Sequence, residues 1–300
     1  MSIIFYSTLF IAGLAAGSFL NVLTLRYRPE RSFFSKASFG GRSRCVSCGV
    51  TLMWYELIPL VSFMLQGGKC RSCGVRLRRQ YPIVEFAAAI LAVGIPLFFS
   101  TWHGMRGVAA LEAPLWYYGF LLLWYAIALV WVSIAIVDMK HYLVPDELNV
   151  ALAILGVGLV ALLAAHQGVL PAFRFSFLKH YALLFTPSFL GGVWISHLAG
   201  ALVGGLFFWF LSLIERGAAM GFGDVKLALA SGFILGFPDI AFATLVAFVI
   251  GGVWGAILML TGKKKIGDKL PFAPFLVAGF FLTIVFSFPL LSSYFRLLNF

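Results

Sequence analysis

Apolar residues run through this chain in eight long blocks, at roughly 3–25, 82–100, 114–137, 148–166, 192–214, 227–237, 240–262 and 271–293, parted by short polar stretches. A helix needs about 20 mostly apolar residues to cross the hydrocarbon of a bilayer. The pattern therefore predicts an all-α polytopic membrane protein of about eight transmembrane helices. The sixth block is too short to span comfortably and reads as tilted or packed inside the bundle. Segment 167–191 is apolar in patches but broken by Pro171, Arg174, Lys179 and Pro187. It reads as an extracytoplasmic loop with interfacial character.

Composition agrees with the membrane class. Charged residues make up 11% of the chain, against about 25% in soluble domains. The net charge of +11 would suggest nucleic acid in a soluble protein, but here the loops decide its meaning. Loops 26–81, 138–147, 215–226 and 263–269 hold eighteen of the twenty-two Lys and Arg residues, and the opposite side holds Arg106, Arg174, Lys179 and Arg296. Positive charge stays cytoplasmic, so these loops are expected in the cytoplasm and both termini outside. No basic residue precedes the first apolar block, which argues for a spanning helix and against a cleaved signal. The eleven positive charges of the first loop are read as topogenic and as contacts to anionic headgroups, with no nucleic-acid partner.

All four cysteines lie in that loop. Cys45 and Cys48 form one C-x-x-C, Cys70 and Cys73 another, with 21 residues between the pairs. Two such knuckles close a four-thiolate zinc site, and Gly49 and Gly74 after each pair suit the tight turns. Disulfides are the rival, disfavoured in a reducing cytoplasm. Four cysteines leave no open coordination position, so a structural Zn²⁺ is expected. The apolar interval "MWYELIPLVSF" is expected on the membrane surface or against the bundle.

Three segments on the same side carry acids or prolines at helix ends. In "SIAIVDMKHYLVPDELN", Asp146 follows Pro145 and reads as an N-cap, with Glu147 in the first turn. Asp138 has no such role, because it ends a helix where the macrodipole disfavours negative charge. In "GFGDVKLA", Gly221 and Gly223 permit an unwound backbone that leaves Asp224 at a helix N-terminus, where the dipole favours a carboxylate; another N-cap is its bland reading. In "KLPFAPFLVAG", Pro271 and Pro274 bracket the start of the last span. Two acids held in different environments at one membrane level have the makings of a carboxyl dyad that activates water.

The segments "GSFLNVLTLR", "ELIPLVSF" between the C-x-x-C pairs, "GKCRSC", "RRQYPIVEF", the Asp138 stretch, "GFGDVKLA" and "LPFAPF" occur in order from about Gly17 to Gly279. In this the chain resembles the type IV prepilin peptidases, intramembrane aspartyl proteases with a G-x-G-D motif. The resemblance implies that Asp138 and Asp224 are catalytic, with Gly221, Gly223, Pro271 and Pro274 as supporting motif. It implies cleavage of the basic leader of prepilins or pseudopilins at the cytoplasmic face of the bacterial inner membrane. It further implies methylation of the new N-terminus with S-adenosylmethionine by segment 17–86, within an N-terminal region 1–100 that precedes a six-helix peptidase region 101–300. Ala273 departs from the family, which commonly has glycine there.

The remaining signals are weaker. His141 reads as an ordinary loop histidine and Lys226 as a residue reaching for the headgroups, near enough to act on Asp224. Glu85 is expected to cap or pair, or to belong to the methylation site. Gly200, Gly204 and Gly205 permit close helix contact within the bundle as readily as dimerisation. The alternative from another class is an ion- or proton-coupled transporter, which calls for acids near the midplane and an internal repeat.

Overall fold

The structure is a computed structural model that describes residues 2–102, 114–166, 192–214, 221–265 and 267–297. The predicted loop 167–191 lies outside the described residues. The helices are α1 (Ser2–Arg26), α2 (Lys36–Phe39), α3 (Val61–Leu65), α4 (Gln80–Trp102), α5 (Leu115–His141), α6 (Asp146–Ala165), α7 (Val193–Ile214), α8 (Phe222–Leu235), α9 (Asp239–Leu260) and α10 (Ala273–Leu297). Among the described residues the only β-type pairings are two isolated bridges. Helices stand at all eight apolar blocks, and among the described residues six of them (α1, α4, α5, α6, α7 and α9) are long and apolar enough to cross a membrane. Helix α8 has 14 residues, which is too short to span at 1.5 Å per residue. Outward-facing side chains such as Leu198, Leu202, Leu206 and Phe210 of α7 are exposed, as lipid-facing positions are.

The chain forms two compact units, Met1–Leu129 and Val130–Phe300. In the first, α1 and α4 pack antiparallel with their backbones nearly touching. A Cβ on Gly13 would stand 2.6 Å from the Ala89 Cα, and one on Gly17 would stand 2.6 Å from the Glu85 Cα. One turn further, the Asn21 Nδ2 donates to the Tyr81 carbonyl at 3.0 Å. The small residues every fourth position let the two backbones meet, and the amide pins the register.

In the second unit, α7 crosses α8 in the same manner. A side chain on Gly200 would strike the Gly232 carbonyl and the backbone of Gly236, and one on Gly204 would lie 2.7 Å from the Ala228 carbonyl. These glycines thus serve contact inside the bundle. A second constraint aligns α5, α8 and α10. Trp131 is fully buried; its Nε1 donates to Ser231 Oγ at 3.0 Å and its ring lies 5.1 Å from that of Phe280. Seven residues along each helix stand Asp138, Asp224 and Ala273. Seven residues are two helical turns, about 10 Å, so the tryptophan layer sets the level at which those three residues meet.

Gly200→Val should lower the unfolding temperature in detergent, since overpacking a tight core costs about 1–3 kcal/mol or more. Gly252→Ala, where an added Cβ meets nothing within 4 Å, should leave it unchanged or raised. Equal behaviour of the two variants in a thermal unfolding scan would contradict the α7–α8 contact.

Candidate active site and metal centre

Asp138 lies in the last turn of α5 and is 5% exposed. Its carbonyl accepts the Tyr142 N–H at 2.8 Å, and Tyr142 has φ 54°. This left-handed residue just past the helix closes it. The side chain turns elsewhere, and its Oδ2 accepts the backbone N–H of Ala273 at 3.0 Å. Ala273 is the first residue of α10, so a free N–H and the positive end of a second helix face the carboxyl. Sequence had offered Asp138 no stabilising partner, because its partner is 135 residues away.

The last proline motif provides that partner. Phe272 precedes α10 and packs between Phe208 and Phe248, with ring centroids 5.9 and 5.0 Å away. Ala273 is fully buried and keeps the N–H that a proline lacks. Pro274 follows within the first turn, where a missing N–H breaks no helical bond, and Pro271 lies in the approach.

Asp224 is 9% exposed and sits within electrostatic reach of Asp138. Helix α8 starts earlier than the sequence pattern suggested, which makes Asp224 its third residue. Gly221 is the N-cap, with φ −76° and ψ 150°, and the Asp224 carboxyl turns back toward the Gly221 N–H. Asp224 is therefore not itself the cap. The expected unwound stretch stops at Gly221, for Gly223 is already helical. What requires Gly223 is space: a Cβ there would approach the Val144 Cβ to 3.0 Å. Val144 belongs to the short link between α5 and α6.

Two expectations about charge are corrected. Asp146 is the first residue of α6, whose N-cap is Pro145 with no side-chain cap bond. Its Oδ1 instead pairs with Lys226 Nζ at 2.7 Å. Lys226 accordingly does not serve Asp224; besides Asp146, it lies over the Phe222 ring at 5.3 Å. Both partners are exposed enough that the pair is worth at most about 1 kcal/mol. It fastens the start of α6 to the start of α8.

The cysteines form a separate centre in the first unit. Their sulfurs all lie within 4.8 Å of one another, and Cys45 and Cys73 Sγ stand 3.9 Å apart. Thiolates on a tetrahedral zinc at 2.3 Å would be about 3.8 Å apart, so the four residues fit such an ion. The two halves repeat one design. The Cys45 N–H donates to the Val50 carbonyl at 2.9 Å, and the Cys70 N–H donates to the Val75 carbonyl at 2.8 Å. Gly49 and Gly74 have φ of 72° and 69°, which side chains rarely adopt. Backbone N–H groups of Cys48 and Ser47 hold the Cys45 thiol down to about 6. At Cys48 the Val50 N–H works in the same direction, but desolvation and the neighbouring sulfurs push it up to about 11. A tetrad that resists carrying four charges by itself is suited to a cation.

Residues 11–99 match the bacterial peptidase A24 N-terminal domain, and residues 124–256 match the type IV leader peptidase family. The prepilin leader peptidase/N-methyltransferase of Bacillus subtilis is 30% identical over 291 residues, covering 97% of this chain and 98% of the relative. The protein of the same name from Pseudomonas aeruginosa is 26% identical over 317 residues, covering 97% and 93%. No solved structure matches the chain.

Gly223→Val should destabilise the protein by displacing the Val144 link, and Val144→Ala should restore much of the loss in the double variant. A double-variant cycle on thermal unfolding measures the coupling. Additive losses would remove the proposed contact.

Proposed function

Because this chain belongs to the type IV leader peptidase family, we propose that it is an intramembrane aspartyl endopeptidase that removes the basic leader of prepilins or pseudopilins and then methylates the new N-terminus. The observation that carries the peptidase reading is the meeting of Asp138 and Asp224 at two helix N-termini, with the Ala273 N–H on Asp138 Oδ2. Asp138 is the fourth-last residue of its helix and Asp224 the third of its own. Such boundary positions suit a peptidase acting where a leader meets an apolar helix better than they suit a midplane ion pathway.

The chemistry follows from the lone pairs. Two facing carboxyls with little water hold one proton between them. Asp138 Oδ2 is occupied as an acceptor, so the shared proton resides on Oδ1 or on Asp224. Asp224 takes a proton from water as the water oxygen attacks the scissile carbonyl, and Asp138 gives its proton to the departing nitrogen. The amine leaves neutral, and the dyad is again left with one proton.

Region 101–300 performs this step and region 1–100 carries the methylation. S-adenosylmethionine, when bound, supplies the methyl group there. Cys45, Cys48, Cys70 and Cys73 hold a structural zinc. The basic loops lie in the cytoplasm and both termini outside the inner membrane. The exposed Trp54, Met64 and Leu65, among Lys69, Arg71 and Arg76, rest on anionic headgroups.

Leader cleavage of a model prepilin in liposomes tests the peptidase. Asp138→Asn and Asp224→Asn should each lose about a thousandfold in rate, while Asp146→Asn, which alters an exposed ion pair, should lose less than about fivefold. Full activity in either of the first two, in a folded protein, would refute the dyad. Elemental analysis should find about one zinc per chain. Cys70→Ser should remove it, and a metal-free but folded wild type would remove the zinc reading.

A further inference from the structure

The α1–α4 hairpin buries polar groups that its packing does not explain. Residues 13, 17 and 21 of α1 face residues 89, 85 and 81 of α4 in one antiparallel register. The first pair is glycine against alanine. The next two carry Glu85, 6% exposed, and Asn21, 1% exposed, inside a hairpin otherwise lined by Leu20, Leu23, Ala88, Ala89 and Ala92.

Glu85 is held in place from two sides. Its Oε2 accepts the Leu60 N–H at 2.8 Å, and Ser18 bonds its carboxyl from α1. Leu60 adopts φ 57° and ψ −49°, an unfavourable conformation for a leucine, and in it the N–H reaches the acid. Asn21 is fixed by its Nδ2 on the Tyr81 carbonyl, which leaves its Oδ1 buried with no partner. The residue just before Tyr81, Gln80 at the start of α4, buries an Nε2 with no partner. Tyr81 lies within electrostatic reach of both Glu85 and Cys45, so the cluster adjoins the cysteine centre.

A buried amide oxygen without a partner forfeits the hydrogen bonds it made to water, and a buried carboxylate forfeits more. A carboxylate and an unpaired acceptor one turn apart, with an unpaired donor beside them, match one chemistry: an ammonium next to a carbonyl. That is the N-terminus of a peptide. We propose that Glu85 and Asn21 form the subsite that receives the free α-amine of the cleaved pilin, with Gln80 Nε2 donating to the carbonyl of its first residue. This deepens the reading that the N-terminal region methylates.

The transfer balances as follows. The α-ammonium gives one proton to the Glu85 carboxylate. The freed nitrogen lone pair takes a methyl group from a sulfonium donor, and the carbon–sulfur bond breaks with its electrons left on sulfur. The product is a methylammonium and a neutral thioether, and Glu85 returns its proton to water.

The test uses the full-length, zinc-loaded protein in nanodiscs and two synthetic peptides that begin at the cleavage site, one with a free α-amine and one N-acetylated. Binding is read by fluorescence anisotropy and methylation by mass spectrometry. Wild type should prefer the free amine. Glu85→Gln keeps an oxygen for the Leu60 N–H and should bind the free amine about tenfold more weakly, the worth of one charge-assisted hydrogen bond. It should no longer distinguish the two peptides. Asn21→Ala provides a second variant with an independent folding risk and should weaken binding severalfold. Glu30→Gln, at an exposed position, is the charge control and should bind as wild type. Wild-type discrimination retained in folded, zinc-replete Glu85→Gln and Asn21→Ala would overturn the subsite. A wild type that binds the free amine selectively yet transfers no methyl group would uphold the subsite and refute the methylation reading instead.

Discussion

The hydrogen bond from the Ala273 N–H to Asp138 Oδ2 is the constraint on which the second unit depends. An acid at the C-terminal end of a helix faces the wrong end of that helix's dipole. Here the defect is answered by another helix that begins at the same place. The first N–H groups of a helix have no partner within it, so α10 gains a cap while Asp138 gains a donor. Each relieves a cost of the other, and both are buried. Asp224 is served likewise by the start of its own helix at Gly221.

For this to happen, three helices must begin or end at one level. The Trp131 layer, two turns deeper, provides the alignment through Ser231 and Phe280. A slip of one residue in any of the three would rotate an acid or the donor by about 100° and out of reach. Phe208, Phe248 and Phe272 hold the entry to α10 from the outer side. The Asp146–Lys226 pair and the Val144–Gly223 contact join the starts of α6 and α8. Apolar packing sets the positions, and the polar groups act within the space it leaves.

The N-terminal unit uses the same physics at a second polar cluster. Close glycine contacts along α1 and α4 remove water from around Glu85 and Asn21, which makes every unpaired atom there costly and every suitable partner well bound. The cysteine loop is tied to that hairpin through Leu60. Folding of the cysteine loop and formation of the polar cluster are thus mechanically linked within one unit.

Much of this was determined by the sequence alone. Apolar length is a local property, so the helices stand where the apolar blocks put them, and the shortness of α8 was legible. The knuckles were legible as well, because C-x-x-C followed by glycine is a complete local geometry. Motifs in order singled out Asp138 and Asp224 as candidates, and the fold places both at helix boundaries in the second unit. Tertiary structure decided the rest. Asp146 had every local mark of a cap yet pairs with Lys226, eighty residues away. Gly223 seemed to permit an unwound chain, and instead makes room for Val144. Asp138 seemed to lack support until Ala273, 135 residues away, supplied it. Asn21 and Glu85 come within a turn of each other because Gly13 and Gly17 let α1 and α4 touch. Local pattern fixes which backbone groups a helix end leaves unsatisfied, but only packing decides which distant side chain arrives to satisfy them.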